Sequence, residues 1–196
     1  MNKNVALVGI AAVIVGIGIG YVTWGSAGIR PGSSMMADGA MRGQNIDQHF
    51  IEQMIPHHEG AIEMSKIALE RSKQPEVLQL ANSIIASQQK EIDDMTTWYQ
   101  SWFGSAPAEG SMGMMHMGSM EGDTDVLASI AAANFDREFL EQMIPHHEMA
   151  LMMVAMLAAG TERPEMKQLA ENIRTSQSRE IELMQGWLKS GFGPQQ

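Results

Sequence analysis

The octapeptide Glu-Gln-Met-Ile-Pro-His-His-Glu occurs twice in this chain, at Glu52–Glu59 and Glu141–Glu148. The residues downstream of each copy repeat as well. Pro56 pairs with Pro145 (145 − 56 = 89), and the pairs Pro75/Pro164, Glu91/Glu180 and Trp98/Trp187 share that offset. No insertion or deletion separates Asp47–Trp98 from Asp136–Trp187, and about half of the paired positions are identical. A repeat of this kind predicts two like units, neither able to bury its apolar face alone, that complete one core between them. Both units keep a His-His pair amid methionines, which points toward a metal.

Each unit reads as a helical hairpin. The stripe Phe50, Met54, His57, Ala61, Met64, Ala68 has core-face helical spacing, as does its twin Phe139, Met143, His146, Ala150, Met153, Leu157. His57 and His146 are therefore expected to point inward. Pro75 and Pro164 each open a second helix at its first turn, where a missing N–H costs little, and Gly104 and Gly191 close them. These second helices carry Val77, Ala81, Ile84, Gln88, Glu91, Met95, Trp98 and the equivalent Met166, Ala170, Ile173, Gln177, Glu180, Met184, Trp187. The expected helices run over Asp47–Ser72, Pro75–Phe103, Asn134–Ala159 and Pro164–Ser190. With no strand signal, this predicts an all-α chain, an antiparallel four-helix bundle with an internal pseudo-twofold axis. Pro56 and Pro145 lie inside helical patterns, where proline removes a hydrogen bond and crowds the preceding turn. The apolar stripe continues through both, so a kink beside each His pair is expected rather than a fresh helix start.

Around this bundle, expected over 45–191, the chain has three less regular parts. Val5–Trp24 is an almost unbroken apolar run without charge, inside a hydrophobic segment 1–28. About 20 apolar residues suffice to span a bilayer. Its competitor is a cleaved secretory signal, but no clean Ala-x-Ala site follows. Either reading places the rest on the periplasmic or extracellular side, with the membrane as a partner if the anchor is retained. Residues 29–44, rich in Gly, Ser and Met, read as a flexible tether. Residues 105–123 form a low-complexity linker between repeat one (47–104) and repeat two (134–191).

Composition narrows the chemistry. The net charge is −10, from 13 basic and 23 acidic residues, and no basic patch offers a nucleic-acid surface. There is no cysteine, which removes disulfides, thiolate zinc sites and thiol nucleophiles. There are 19 methionines, more than gap filling in a core of this size explains. The linker gathers Met112, Met114, Met115, His116, Met117 and Met120 on a stretch free to wrap an ion, and Met35, Met36 and Met41 of the tether add to them. Thioethers select Cu(I), and imidazole suits copper as well; Ag(I), equally soft, should bind in the same way.

Within the bundle the candidate ligands are Met54, His57, His58, Met64, Glu91 and Met95 in the first repeat. In the second they are Met143, His146, His147, Met149, Met153, Glu180 and Met184. If each hairpin turns midway between residues 73 and 74, position 57 lies level with position 90. His57 is then expected to meet Glu91, and His146 to meet Glu180. Buried imidazoles and carboxylates must be hydrogen-bonded, paired or metal-bound. One reading is a structural His–Glu layer that fixes helix register. The other is a metal site of His nitrogen and Met sulfur with Glu orienting the imidazole. His58 and His147 are second ligands or rim residues, and His49, with no counterpart in the repeat, is a peripheral donor.

The phrase Met-Ile-Pro-His-His-Glu, with Gln88-x-x-Glu91-Ile92-x-x-Met95 and Gln177-x-x-Glu180-Ile181-x-x-Met184, resembles the domain of unknown function 305 family over Asp47–Leu188. That resemblance implies an exported, ferritin-like four-helix bundle. Together with the methionine linker and the apolar amino terminus, the chain resembles periplasmic copper-binding proteins of the CopM type. This implies Cu(I) and Ag(I) binding, copper resistance, and delivery to copper-export or other copper-handling proteins. No organic cofactor and no catalysed reaction are expected. A ferritin-like metal oxidase would want Glu-x-x-His motifs, and none occurs in the sequence. A zinc hydrolase would want His-Glu-x-x-His, but position 62 is Ile62. A structural exported bundle whose methionines consume oxidants is the remaining alternative.

Overall fold

Neither Pro56 nor Pro145 starts a helix. In the computed structural model both lie inside long ones, α1 (Met35–Arg71) and α4 (Phe135–Gly160). Their partners are α2 (Pro75–Phe103) and α5 (Pro164–Ser190), and a short α3 (Thr124–Ser129) with a 3-10 turn at Ala132–Asn134 precedes α4. The structure describes residues 35–107 and 124–192, with side chains from residue 46 onward. By internal contacts the chain divides into Met1–Ala37 and Asp38–Gln196, and the helical core belongs to the second unit. Among the described residues there is no strand, and no helix is long and apolar enough to cross a membrane. The apolar run Val5–Trp24 lies outside the described residues.

The two hairpins turn by the same device. Proline occupies the first position of α2 and α5, after the extended residues Gln74 and Arg163. Ser72 Oγ accepts the Gln74 N–H at 3.1 Å, and Thr161 Oγ1, the equivalent residue, accepts the Arg163 N–H at 3.2 Å. A hydroxyl two residues earlier thus satisfies an amide that the tight reversal would leave bare. At the far end of α2, Gly104 adopts φ 73° and its N–H caps Gln100 O, the left-handed closure that glycine permits.

One boundary departs from the sequence reading. The segment 29–44 was expected to be a flexible tether, yet α1 begins at Met35. Met, Ala, Arg and Gln between residues 35 and 44 are good helix formers, and a long folded helix downstream removes the nucleation cost of extending it. The α3 turn was also not anticipated. Its Leu127 is fully buried, and the Arg71 guanidinium donates to the carbonyls of Leu127 and Ile130 while lying over Phe135.

The core is layered. One apolar cluster joins Ala61, Met64 and Ala68 of α1 to Val77–Ile84 of α2, Phe135–Met143 of α4 and Ile181–Trp187 of α5. A second joins Phe50, Ile51 and Met54 of α1 to Met95 and Tyr99, Ala150–Leu157, and Met166–Ile173. Both clusters draw on both repeats, as two half-cores that complete each other must. These groupings make α1 antiparallel to α2 and α4, and α5 antiparallel to α4 and α2. Between the clusters, each of the four helices contributes polar residues: His57 and His58, Gln88 and Glu91, His146 and His147, Gln177 and Glu180.

Candidate metal centre

Successive residues on a helix are rotated by about 100°, so the two histidines of each pair face different neighbours. His58 faces α2, with Nε2 2.7 Å from Glu91 Oε2. His147 faces α5, with Nε2 2.7 Å from Glu180 Oε2. The expected pairings of His57 with Glu91 and of His146 with Glu180 are therefore corrected. The level along the axis was right, but the face was one residue away. His57 and His146 turn toward each other instead, ring centroids 3.8 Å apart at 43°.

All four imidazoles are buried. His58 and His147 have no exposed side-chain surface, whereas Glu91 and Glu180 retain 13% and 12%. Each carboxylate thus binds a fully buried ring and still reaches the surface. Neither nitrogen of His57 or His146 makes a well-directed hydrogen bond, nor does Nδ1 of His58 or His147. Gln88 Oε1 and both amide atoms of Gln177 share this condition. A buried polar atom left without a partner costs about 1–3 kcal/mol, so this layer is a concentrated liability unless something binds there.

Burial pushes the His57 imidazole down to about 3, with the neighbouring His58 and His147 acting in the same direction. His146 is held well below the usual range by burial first, then by His57, His147 and His58. The approach of each ring to the opposing histidine's backbone pulls weakly the other way. Both rings are neutral near pH 7, and a neutral imidazole is the form that ligates a metal.

Sulfur flanks the layer on both sides. Met54 and Met95 are fully buried in one apolar cluster, and Met143, Met184 and Met64 are fully buried in the other. Met54 precedes His57 by three residues and Met143 precedes His146 by three, so a thioether lies one turn from each of these two rings. Met149 and Met153 are only half-buried; Val154 takes the inward place that the spacing had assigned to Met153. Beside them Met152 and Met156 are 58% and 71% exposed. Sequence reasoning passed over these two, although Met149, Met152, Met153 and Met156 share one helical face by spacing alone. His49 is exposed and accepts a 2.8 Å bond from Gln53 Nε2. The linker set Met112, Met114, Met115, His116, Met117 and Met120 lies outside the described residues.

Among the described residues, no three of His, Cys, Asp and Glu are grouped so as to hold an ion. The donors brought together are imidazole nitrogen and, a turn away, thioether sulfur. That set matches the preference of a soft monovalent cation.

Comparison with known proteins agrees with this architecture. The model of the family described as Domain of unknown function (DUF305) matches residues 47–188. CopM in its Cu(II)-bound form is 47% identical, with a TM-score of 0.68 over 74% of this chain and 97% of that one. CopM in its Cu(I)-bound form is 46% identical, with a TM-score of 0.66 over 75% and 98%. A DUF305 fragment from Deinococcus radiodurans is 30% identical, with a TM-score of 0.62 over 74% and 95%. Uncharacterized protein L153 of Acanthamoeba polyphaga mimivirus is 49% identical over 51 residues, so this chain matches 34% of that protein's length and 26% of its own. By the extent of the family match and the CopM likeness, the chain belongs to the DUF305 family.

Proposed function

We propose that this protein captures Cu(I) and Ag(I) through methionine and histidine side chains and buffers or passes on the ion without catalysing a reaction. The observation that carries the reading is the buried layer of four imidazoles with unpartnered nitrogens, bounded on each side by fully buried methionines. His57 and His146 would supply nitrogen, and Met54, Met95, Met143 and Met184 sulfur, with Glu91 and Glu180 fixing the outer rings through His58 and His147. The CopM structures with Cu(I) and with Ag bound, 46% identical to this chain, support the choice of ion. We read the four long helices as a ferritin-like bundle on the exported side of a membrane. Val5–Trp24 would be its anchor, Met112–Met120 a second capture segment, and a copper-export protein the recipient.

A competition titration of the full chain with Cu(I) against a chromogenic chelator, under reducing conditions, tests this. Two variants accompany it, H57L/H146L and one with the methionines of Met112–Met120 changed to serine. The expected result is more than one tightly held ion, with each variant losing a different part. If the parent chain does not compete for Cu(I), the reading is wrong and the imidazole layer is structural.

A further inference from the structure

Two clefts lie between α2 and α5, of about 500 and 520 Å³. Shifting every lining residue of one by 89 positions reproduces the lining of the other without exception. They are copies related by the internal twofold, and the repeat keeps most of their chemistry, although Asp94 of one stands where the other has Leu183. Glu76 and Glu180 line one where Glu165 and Glu91 line the other, and Trp187 of the first corresponds to Trp98 of the second. Each also carries one basic side chain, Arg179 or Lys90, and Lys90 is already engaged by Asp94 at 2.6 Å. Carboxylates therefore outnumber free cations in both.

The residues shared between clefts and core are Glu91 and Glu180. Each lines a cleft, keeps 13% or 12% of its side-chain surface, and places Oε2 2.7 Å from the Nε2 of a histidine with no exposed side-chain surface. Behind that histidine are unpartnered ring nitrogens, Nδ1 of the same ring and both nitrogens of His57 and His146. A purely structural carboxylate needs no open cleft in front of it, and two such clefts with the same carboxylates indicate a route. We propose that the clefts are paired ports through which a soft monovalent cation reaches the buried imidazoles. Glu91 and Glu180 receive it from solvent and hand it to His58 and His147. This rests on the reading of the imidazole layer as an ion site. Carboxylates suit the task because they attract a cation by charge yet bind a soft one weakly, so the ion moves on to nitrogen and sulfur. Two ports in parallel also mean that blocking one leaves the other open.

The test uses the full chain and Ag(I) as probe. Uptake is followed by stopped-flow quenching of tryptophan fluorescence, since Trp98 and Trp187 line the clefts, and core occupancy by 15N shifts of the histidine rings. E91Q or E180Q alone is expected to slow core loading no more than about twofold, and E91Q/E180Q together at least tenfold. E76Q/E165Q, which leaves the His–Glu bonds intact, should slow loading severalfold at low salt and keep the proposal testable if the first double variant folds poorly. Core loading of both double variants at the parental rate would overturn the ports while leaving the ion site standing. Absence of any histidine shift in the parent chain would overturn the ion site and the ports with it.

Discussion

The rings of His57 and His146 lie 3.8 Å apart, centroid to centroid, across the interface of α1 and α4, each from the same position of its own repeat. Both are buried and neutral, His57 at about 3 and His146 well below its usual value. In the unfolded chain both return to about 6.5. Below that pH the unfolded state takes up protons that the native state refuses, so native stability falls as pH drops from 6.5 toward 3. The loss approaches about 1.4 kcal/mol per pH unit for each ring. Thermal melts of the metal-free protein between pH 7.5 and 4.5 should be flat above pH 7 and decline steeply below 6. H57L/H146L should flatten the acid limb.

Because the facing rings leave their nitrogens unsatisfied, apolar replacement relieves a cost rather than removing a bond. H57L/H146L is expected to raise the metal-free melting temperature by several degrees and to abolish the Ag(I)-dependent rise of the parent chain. A ligand at 100 times its Kd stabilises by about 2.7 kcal/mol, or roughly 5–10 °C at this chain length. A variant that melted lower without metal would show that the contact between the two rings itself stabilises the fold.

Thioether ligation separates from packing by an isosteric change. M54L/M143L keeps core volume and should cost less than about 1.5 kcal/mol per site in denaturant unfolding. Cu(I) affinity should nevertheless fall at least tenfold in chelator competition. M152L/M156L on the exposed face of α4 should leave stability unchanged and lower only the number of weakly held ions.

Leu127 tests the element that the repeat does not contain. It is fully buried in the cluster with Phe135, Phe139 and Leu140, so L127A should destabilise by about 2–5 kcal/mol. Chemical denaturation measures the loss. Metal stoichiometry at the imidazole layer should not change, since that layer is built from the four long helices alone.

Much of this architecture was legible in the amino-acid order. Pro75, Gly104, Pro164 and Gly191 mark helix ends in the structure because each imposes a local backbone constraint that packing cannot override. The buried stripes from Phe50 to Ala68 and from Met166 to Trp187 came from helical period, since an apolar face must find a core. The start of α1 at Met35 was not legible. Glycine and serine around 25–43 argue for a tether, but helix already formed downstream extends cheaply into Met, Ala and Arg. Nor was the inward place of Val154, taken where the spacing favoured Met153.

By itself, the sequence determined that two hairpins share one core, where they turn, and that a His–Gln–Glu level interrupts their apolar faces, because periodicity and local turn chemistry are properties of the chain order. Which histidine of each adjacent pair meets a carboxylate and which meets its symmetry mate was decided only by the tertiary structure. Adjacent helical residues differ by about 100°, and the rotation of α1 against α2 and α4 is fixed by packing of both repeats at once. The same packing sets Glu91 and Glu180 between open cleft and buried ring, a placement that exists only once α2 and α5 lie side by side.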